Sequence, residues 1–243
     1  MSGKQRIDGE PAYVLHVHPY SETSLIVDVF SRGHGRVPLL ARGARRPRSA
    51  MRGVLMSFQP LELGWFGGGE VKTLAKAEWV GGVPLLSGRC LLLGYYLNEL
   101  LVKMLAREDA HPVLYDAYVA ALMALAQGTA DAPELRRFEK TLLKELGYGL
   151  TLDIDAESGA PILPDNNYSY LVERGPVLKV GAGDTAADTA TYSGKTLLDM
   201  AADDYADPRT RQQSKQLMRQ LIAYHLGGKP LQSRRVFMEL QNL

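Results

Sequence analysis

Between residues 10 and 80, apolar side chains recur at every second position or in short runs, the period of strands with a buried face. Tyr13-Val14-Leu15-His16-Val17, Ser24-Leu25-Ile26-Val27-Asp28-Val29-Phe30 and Arg36-Val37-Pro38-Leu39-Leu40-Ala41 are three such segments. Pro38 has no N–H for a ladder and assigns the third segment to an edge or a bulge. Phe58 to Phe66 alternates, Gly67-Gly68-Gly69 supplies a turn, and Val71 to Trp79 returns. Five short strands with turn residues between them predict a small closed β-barrel of the OB type.

At Gly81-Gly82-Val83-Pro84 the period lengthens to that of a helix. Leu85 to Leu105 is strongly apolar, with Leu92, Tyr96, Glu99, Leu100 and Lys103 at helical spacing. Gly88, Arg89, Asn98, Glu99 and Lys103 interrupt it, which predicts a buried helix and not a membrane span. A second helix is expected from an Asp109 N-cap to about Ala126. A third is expected to open on Asp131 as N-cap, with Pro133 in its first turn, and to end at Gly147 in a left-handed cap. Residues 150–194 are rich in acids, Gly, Pro and Asn. Two short strands are expected there, Tyr168–Val172 and Pro176–Val180, with a mobile surface loop over Ala182–Thr191. Thr196 to Ala202 reads as a short helix, Asp207-Pro208 caps a long one to Leu226, and Leu231 to Leu240 reads as the last. The expected fold class is α+β and multidomain. Residues 1–80 form the barrel, 81–150 a helical bundle, 151–195 a small irregular β region, and 196–243 C-terminal helices packing on the bundle.

The chain has 243 residues and one cysteine, Cys90, so neither an internal disulfide nor a Cys-based four-ligand zinc site is expected. The polar start and the lack of a long apolar run predict a cytoplasmic protein with no membrane partner. The net charge of +1 conceals strong segregation. Residues 1–80 carry 11 Lys+Arg against 7 Asp+Glu, residues 151–207 carry 3 against 11, and residues 208–235 carry 7 against none. Blocks of one sign decide what a surface attracts.

The densest block runs from Arg32 to Arg52 and holds Arg32, Arg36, Arg42, Arg45, Arg46, Arg48 and Arg52 with no acid. Guanidinium groups match phosphate oxygens as planar forks and keep their charge. Glycines at 33, 35, 43 and 53 joint the segment, so successive forks can meet successive phosphates. These arginines, with Lys72 on the returning strand, are the candidate DNA-binding residues. Arg211, Lys215 and Arg219 are four apart and share one helical face. They extend that candidate track, cover the acidic block at 151–207, or form a solvated face. Tyr13, Tyr20, Phe30, Phe58, Trp65 and Phe66 are the barrel rings that could stack on bases. On the third helix Arg136, Lys140 and Lys144 line one stripe beside apolar positions, a combination suited to an acidic peptide with an apolar, carboxylate end.

Several stretches resemble the RecO family of bacterial recombination mediators. They are Ser21-Glu22-Thr23-Ser24-Leu25, Gly35-Arg36-Val37, Ala41-Arg42-Gly43-Ala44-Arg45 and Gly69-Glu70-Val71-Lys72-Thr73-Leu74 in the first third. Tyr96-Leu97-Asn98-Glu99-Leu100-Leu101, Leu135-Arg136-Arg137-Phe138-Glu139, Leu146-Gly147-Tyr148-Gly149 and Gly227-Gly228-Lys229-Pro230-Leu231-Gln232-Ser233-Arg234 follow in order. The resemblance implies binding of single- and double-stranded DNA and annealing of complementary strands. It also implies cooperation with RecR in loading RecA onto DNA coated by single-strand-binding protein, and a place at the nucleoid. It implies further that the Arg136, Lys140 and Lys144 stripe receives the C-terminal tail of single-strand-binding protein. Many members carry a four-cysteine zinc ribbon after the Leu-Gly-Tyr-Gly stretch; residues 150–180 contain no cysteine, so the resemblance is to a zinc-free branch, with no metal or cofactor expected.

Rival readings leave recognisable marks. A helical adaptor whose barrel binds only protein would show DNA binding that is absent or insensitive to salt. A nuclease or ligase fragment would need clustered carboxylates, and Asp199, Asp203 and Asp204 are the one dense group. Ser193-Gly194-Lys195-Thr196 resembles the end of a phosphate-binding loop but lacks its first glycine, Thr189 standing there. Gly181-Ala182-Gly183-Asp184-Thr185-Ala186 resembles a dinucleotide fingerprint without the amphipathic helix that should follow. No Ser, His and Asp set can be assembled, and only His16-x-His18 has metal-like spacing, so no enzyme is expected.

Overall fold

A computed structural model describes residues 6–128, 132–179 and 190–241. The expected Asp131 cap and the fingerprint at 181–186 lie outside the described residues, as does all but the end of the Ala182–Thr191 loop. The elements in chain order are β1 Arg6–Pro19, β2 Leu25–Ser31, β3 Gly35–Ala41, α1 Met51–Val54, β4 Leu61–Phe66 and β5 Lys72–Trp79. After them come α2 Gly88–Met104, α3 Pro112–Ala126, α4 Ala132–Glu145, β6 Asn167–Leu171, β7 Gly175–Leu178, β8 Thr191–Ser193, α5 Gly194–Ala201, α6 Pro208–His225 and α7 Gln232–Gln241. The class is α+β. The chain divides into two compact units, Met1–Thr129 with Leu231–Leu243, and Ala130–Pro230. The last helix thus belongs to the unit that holds the barrel, α2 and α3, and it packs on α2.

In the first unit β1 to β5 close into a barrel of order β1-β2-β3-β5-β4, with β4 returning to β1. All neighbours are antiparallel except β3 and β5, the five-strand arrangement of an OB barrel. Alternate residues point inward, so Val27, Val29, Val37, Leu39, Leu61, Leu63, Trp65 and Leu74 fill the interior. Pro38 is tolerated in β3 because β5 joins that strand only at Leu39 and Leu40. The outward-facing rings of Tyr13 and Phe30 meet Tyr115 and Tyr118 of α3 at centroid distances of 5.4–6.0 Å.

Two residues of the Tyr96–Leu101 motif join this unit's parts. Asn98 on α2 is buried and donates to the carbonyls of Val14 (3.3 Å) and Leu15 (2.9 Å), where a bulge interrupts β1. Its Oδ1 accepts from the Tyr118 hydroxyl at 2.6 Å. Glu99, one residue on, accepts from the backbone N–H groups of Gln232 and Ser233, both at 2.8 Å, and so caps the start of α7. Gly35 is obligatory for a different reason: its φ is +65°, and a Cβ would fall 1.8 Å from the Asp109 carbonyl oxygen. Asp109 is not the N-cap expected of it. The helix starts at Pro112 after His111, while Glu108 donates its N–H to the Arg36 carbonyl at 2.9 Å.

In the second unit α4 and α5 pack on α6. Asp207 caps α6 as expected, accepting from the Arg209 N–H at 2.7 Å, and Gly147 takes φ +84° after α4. Strands β6, β7 and β8 form a sheet of order β7-β6-β8. The loop before it is organised by buried Asp155, which accepts from the N–H groups of Glu157, Ser158 and Leu178 and from the Ser158 hydroxyl at 2.6–3.0 Å.

Candidate nucleic-acid interface

The arginine segment leaves the barrel at the end of β3 and returns at β4. Ala44 and Leu55 are buried in the barrel core, and Met51 and Val54 pack against it. These anchors turn the intervening polar positions outward. Successive turns order the path: Arg46 N–H to Gly43 O at 3.1 Å, Ser49 N–H to Arg46 O at 3.0 Å, and Arg52 N–H to Ser49 O at 3.2 Å. The segment then enters the single turn of α1, which lies against β5. A loop fixed in this way loses little conformational freedom when it meets a ligand.

Arg42, Arg45, Arg46, Arg48 and Arg52 are exposed. No acidic side chain pairs with any of them among the described residues. Arg45 is held in place by the neighbouring β1–β2 turn: its Nη1 donates to Ser21 O at 2.6 Å and its backbone N–H to Thr23 O at 2.9 Å. The result is five guanidinium groups on one ordered stretch of surface.

The other cations of the expected set are placed differently. Arg32 is half exposed, but it forms a two-point pair with Asp116, Nε to Oδ1 at 3.0 Å and Nη2 to Oδ2 at 2.9 Å. That pair holds the Asp116 carboxyl below its ordinary range. Arg36 is largely buried; its Nη1 donates to Val102 O at 2.6 Å at the end of α2, and its Nη2 lies 3.6 Å from buried Asp28. Lys72 is enclosed as well, donating to Gly69 O at 2.6 Å and to Glu108 at 2.7 Å. Arg36 and Lys72 therefore join parts of their own unit, and neither presents a free cation to solvent. On α6 of the second unit, Arg211, Lys215 and Arg219 are exposed along one face, opposite buried Thr210, Ser214, Leu217 and Leu221.

The expected stripe on α4 does not form. Arg136 is buried, with its Nη2 2.6 Å from the fully buried Glu139 carboxylate. Lys140 is held by Met200 O and by Asp203 at 2.7 Å, and Lys144 alone of the three faces outward. A peptide carboxylate could reach Arg136 only by opening a buried ion pair, a step costing several kcal/mol, about 3–5.

Of the barrel rings, Tyr13, Phe30, Phe58 and Trp65 are buried and Tyr20 is widely exposed. The phosphate-loop likeness at Ser193–Thr196 is structural: a Cβ on Gly194 would fall 1.9 Å from Leu163 O, and Lys195 pairs with Asp199. Asp199, Asp203 and Asp204 are spent on Thr210, Lys140 and the Ala206 N–H. Among the described residues no cluster of three or more His, Cys, Asp or Glu could hold a metal ion, and no helix is long and apolar enough to cross a membrane.

An OB barrel with an unpaired arginine surface, joined to helices, defines a binding module with the charge to meet a polyanion. Comparison with known proteins narrows this class. The family model for the N-terminal part of recombination protein O matches residues 9–83, and that for its C-terminal part matches residues 87–235. The chain is 59% identical over its whole length to the DNA repair protein RecO of Aromatoleum aromaticum, covering all of that protein too. It is 56% identical to those of Azoarcus sp. and Dechloromonas aromatica, again with both chains fully covered. The chain belongs to the RecO family of DNA repair proteins.

Proposed function

We propose that this chain binds single- and double-stranded DNA through Arg42, Arg45, Arg46, Arg48 and Arg52, anneals complementary strands, and acts with RecR to load RecA onto DNA coated by single-strand-binding protein. The unpaired arginine surface on the barrel carries the reading. Fixed positive charge neutralises phosphates and releases their counterions, so two strands can approach without mutual repulsion. The contacts are to backbone, so binding tolerates any sequence. Arg32 contributes at most at the edge of this surface, because Asp116 already offsets it. Arg211, Lys215 and Arg219 offer a second cationic track on the other unit. The proposal includes recruitment of the tail of single-strand-binding protein, for which Lys144 is the outward cation on α4. The proposed site of action is the bacterial nucleoid, and the chemistry is binding and annealing, with no bond made or broken.

The test is DNA binding and strand annealing across a salt series. Replacing Arg42, Arg46, Arg48 and Arg52 by alanine together should reduce the slope of log K against log salt on single strands by about 3, at roughly 0.7 per lost phosphate contact. Annealing should slow in parallel. An unchanged slope with unchanged annealing defeats the proposal.

A further inference from the structure

The arginine surface explains attraction to any polyanion, but not why a single strand should be held differently from a duplex. The adjoining β1–β2 turn carries a group that distinguishes them. Tyr20 is 63% exposed, while Tyr13, Phe30, Phe58 and Trp65 are each 4% exposed or less. Its turn is rigid: the Tyr20 N–H donates to Ser24 O at 3.2 Å, and the Ser24 N–H donates to the Ser21 hydroxyl at 3.2 Å. That turn is joined to the arginine segment by two bonds from Arg45, its Nη1 to Ser21 O and its backbone N–H to Thr23 O. Tyr20 therefore stands one residue from the carbonyl that anchors a phosphate-facing arginine. The other widely exposed ring of the barrel, Trp79, commits its indole N–H to Gln59 at 3.1 Å, whereas the Tyr20 ring has no such tie among the described residues.

We infer that Tyr20 is a base-stacking platform that gives the arginine surface a preference for unpaired DNA. The inference rests on the proposed DNA-binding reading. A strand whose phosphates follow the arginines brings its bases within reach of the neighbouring turn, and any base has a face to lay on a tyrosine ring. In a duplex the bases are stacked and paired inside, so the ring finds no partner.

The two contributions separate with three ligands of equal length: labelled oligothymidylate, the same backbone made abasic, and a blunt duplex. Binding is followed by fluorescence anisotropy. Tyr20→Ala should weaken oligothymidylate binding about 5-fold or more, the smaller end of one base-stacking contact, and leave the abasic strand and the duplex unchanged. Tyr20→Phe should behave as the unaltered protein. No loss on oligothymidylate, or an equal loss on all three ligands, overturns the inference while leaving the arginine reading intact. The alanine variant of Arg42, Arg46, Arg48 and Arg52 should weaken all three ligands alike. If it weakens none, the arginine reading fails and the Tyr20 inference fails with it.

Discussion

Arg36 separates charge that holds the protein together from charge left open on the surface, and removing it should leave opposite marks on stability and on the proposed DNA binding from those of Arg42. The Arg36 side chain is 14% exposed and that of Asp28 is 6% exposed. Truncation to alanine strands the Asp28 carboxylate, one oxygen of which already lacks a hydrogen-bond partner, with His18 at 3.9 Å as its remaining ion-pair neighbour among the described residues. It also removes the donor to Val102 O at the end of α2. Breaking one side of a buried pair costs about 3–5 kcal/mol. With an m-value of about 2 kcal/mol per molar urea, that lowers the unfolding midpoint by about 2 M. Both tryptophans, Trp65 and Trp79, lie in the barrel, so their fluorescence reports on this unit. Arg42→Ala, by contrast, should move the midpoint by about 0.25 M or less, since exposed substitutions stay within about 0.5 kcal/mol. Under conditions where Arg36→Ala remains folded, its salt slope on single strands should equal that of the unaltered protein. Arg36→Met combined with Asp28→Leu should recover much of the lost stability by leaving no orphaned charge. A variant Arg36→Ala that unfolds normally and has a shallower salt slope would refute the assignment.

Two further outcomes follow from buried polar groups. Asn98→Ala removes the acceptor of the Tyr118 hydroxyl and the donor to the Leu15 carbonyl, at about 1–3 kcal/mol for each buried hydrogen bond lost. Urea titration of this variant, of Tyr118→Phe and of the pair should give a coupling energy of about 0.5–3 kcal/mol, and strict additivity would deny the contact. Asp155 bears on the second unit: the Ser158 N–H above all, then the Ser158 hydroxyl and the Leu178 and Glu157 N–H groups, hold its carboxyl below the ordinary value, against the opposing effect of burial. A folded value below the unfolded one, about 3.9, gives stability that is present above that pH and is lost as the pH falls through the lowered value. Protection factors for amide exchange over residues 155–178, taken relative to the intrinsic rate at each pH, should therefore fall in acid, and Asp155→Asn should show that lower protection already at neutral pH with the acid dependence flattened.

The alternation of Val27, Val29, Val37, Leu39, Leu61 and Leu63 made the barrel legible, because each strand buries one face in a single interior. Its limits are local failures of that period. β1 begins at Arg6, before the expected segment, because a bulge between Ile7 and Glu10 breaks the alternation there. α1 and β8 span 4 and 3 residues, too few to show any period. Asp109 was a plausible cap in sequence, but its backbone is taken up by the close approach of Gly35.

The cationic site was legible as a density but not as an arrangement, and the reason lies in where each arginine sits. Arg36 occupies a strand between Gly35 and Val37, and its partners are Asp28 on the next strand and Val102 in a helix 66 residues away. Arg136 sits three residues before Glu139 on a helix whose buried face includes Leu135, Phe138 and Leu142, so the pair is drawn inward with them. Arg42 to Arg52 instead follow a path of successive turns, where Gly43 and Pro47 deny the backbone a ladder and two buried anchors, Ala44 and Leu55, tie it down. A cation in a regular element inherits the burial of that element's faces and is met by whatever acid the fold brings opposite. A cation in a pinned turn between elements meets no such face, and in an acid-free stretch its charge stays available. The turn residues, and not the total of arginines, therefore set how much open positive charge this barrel presents.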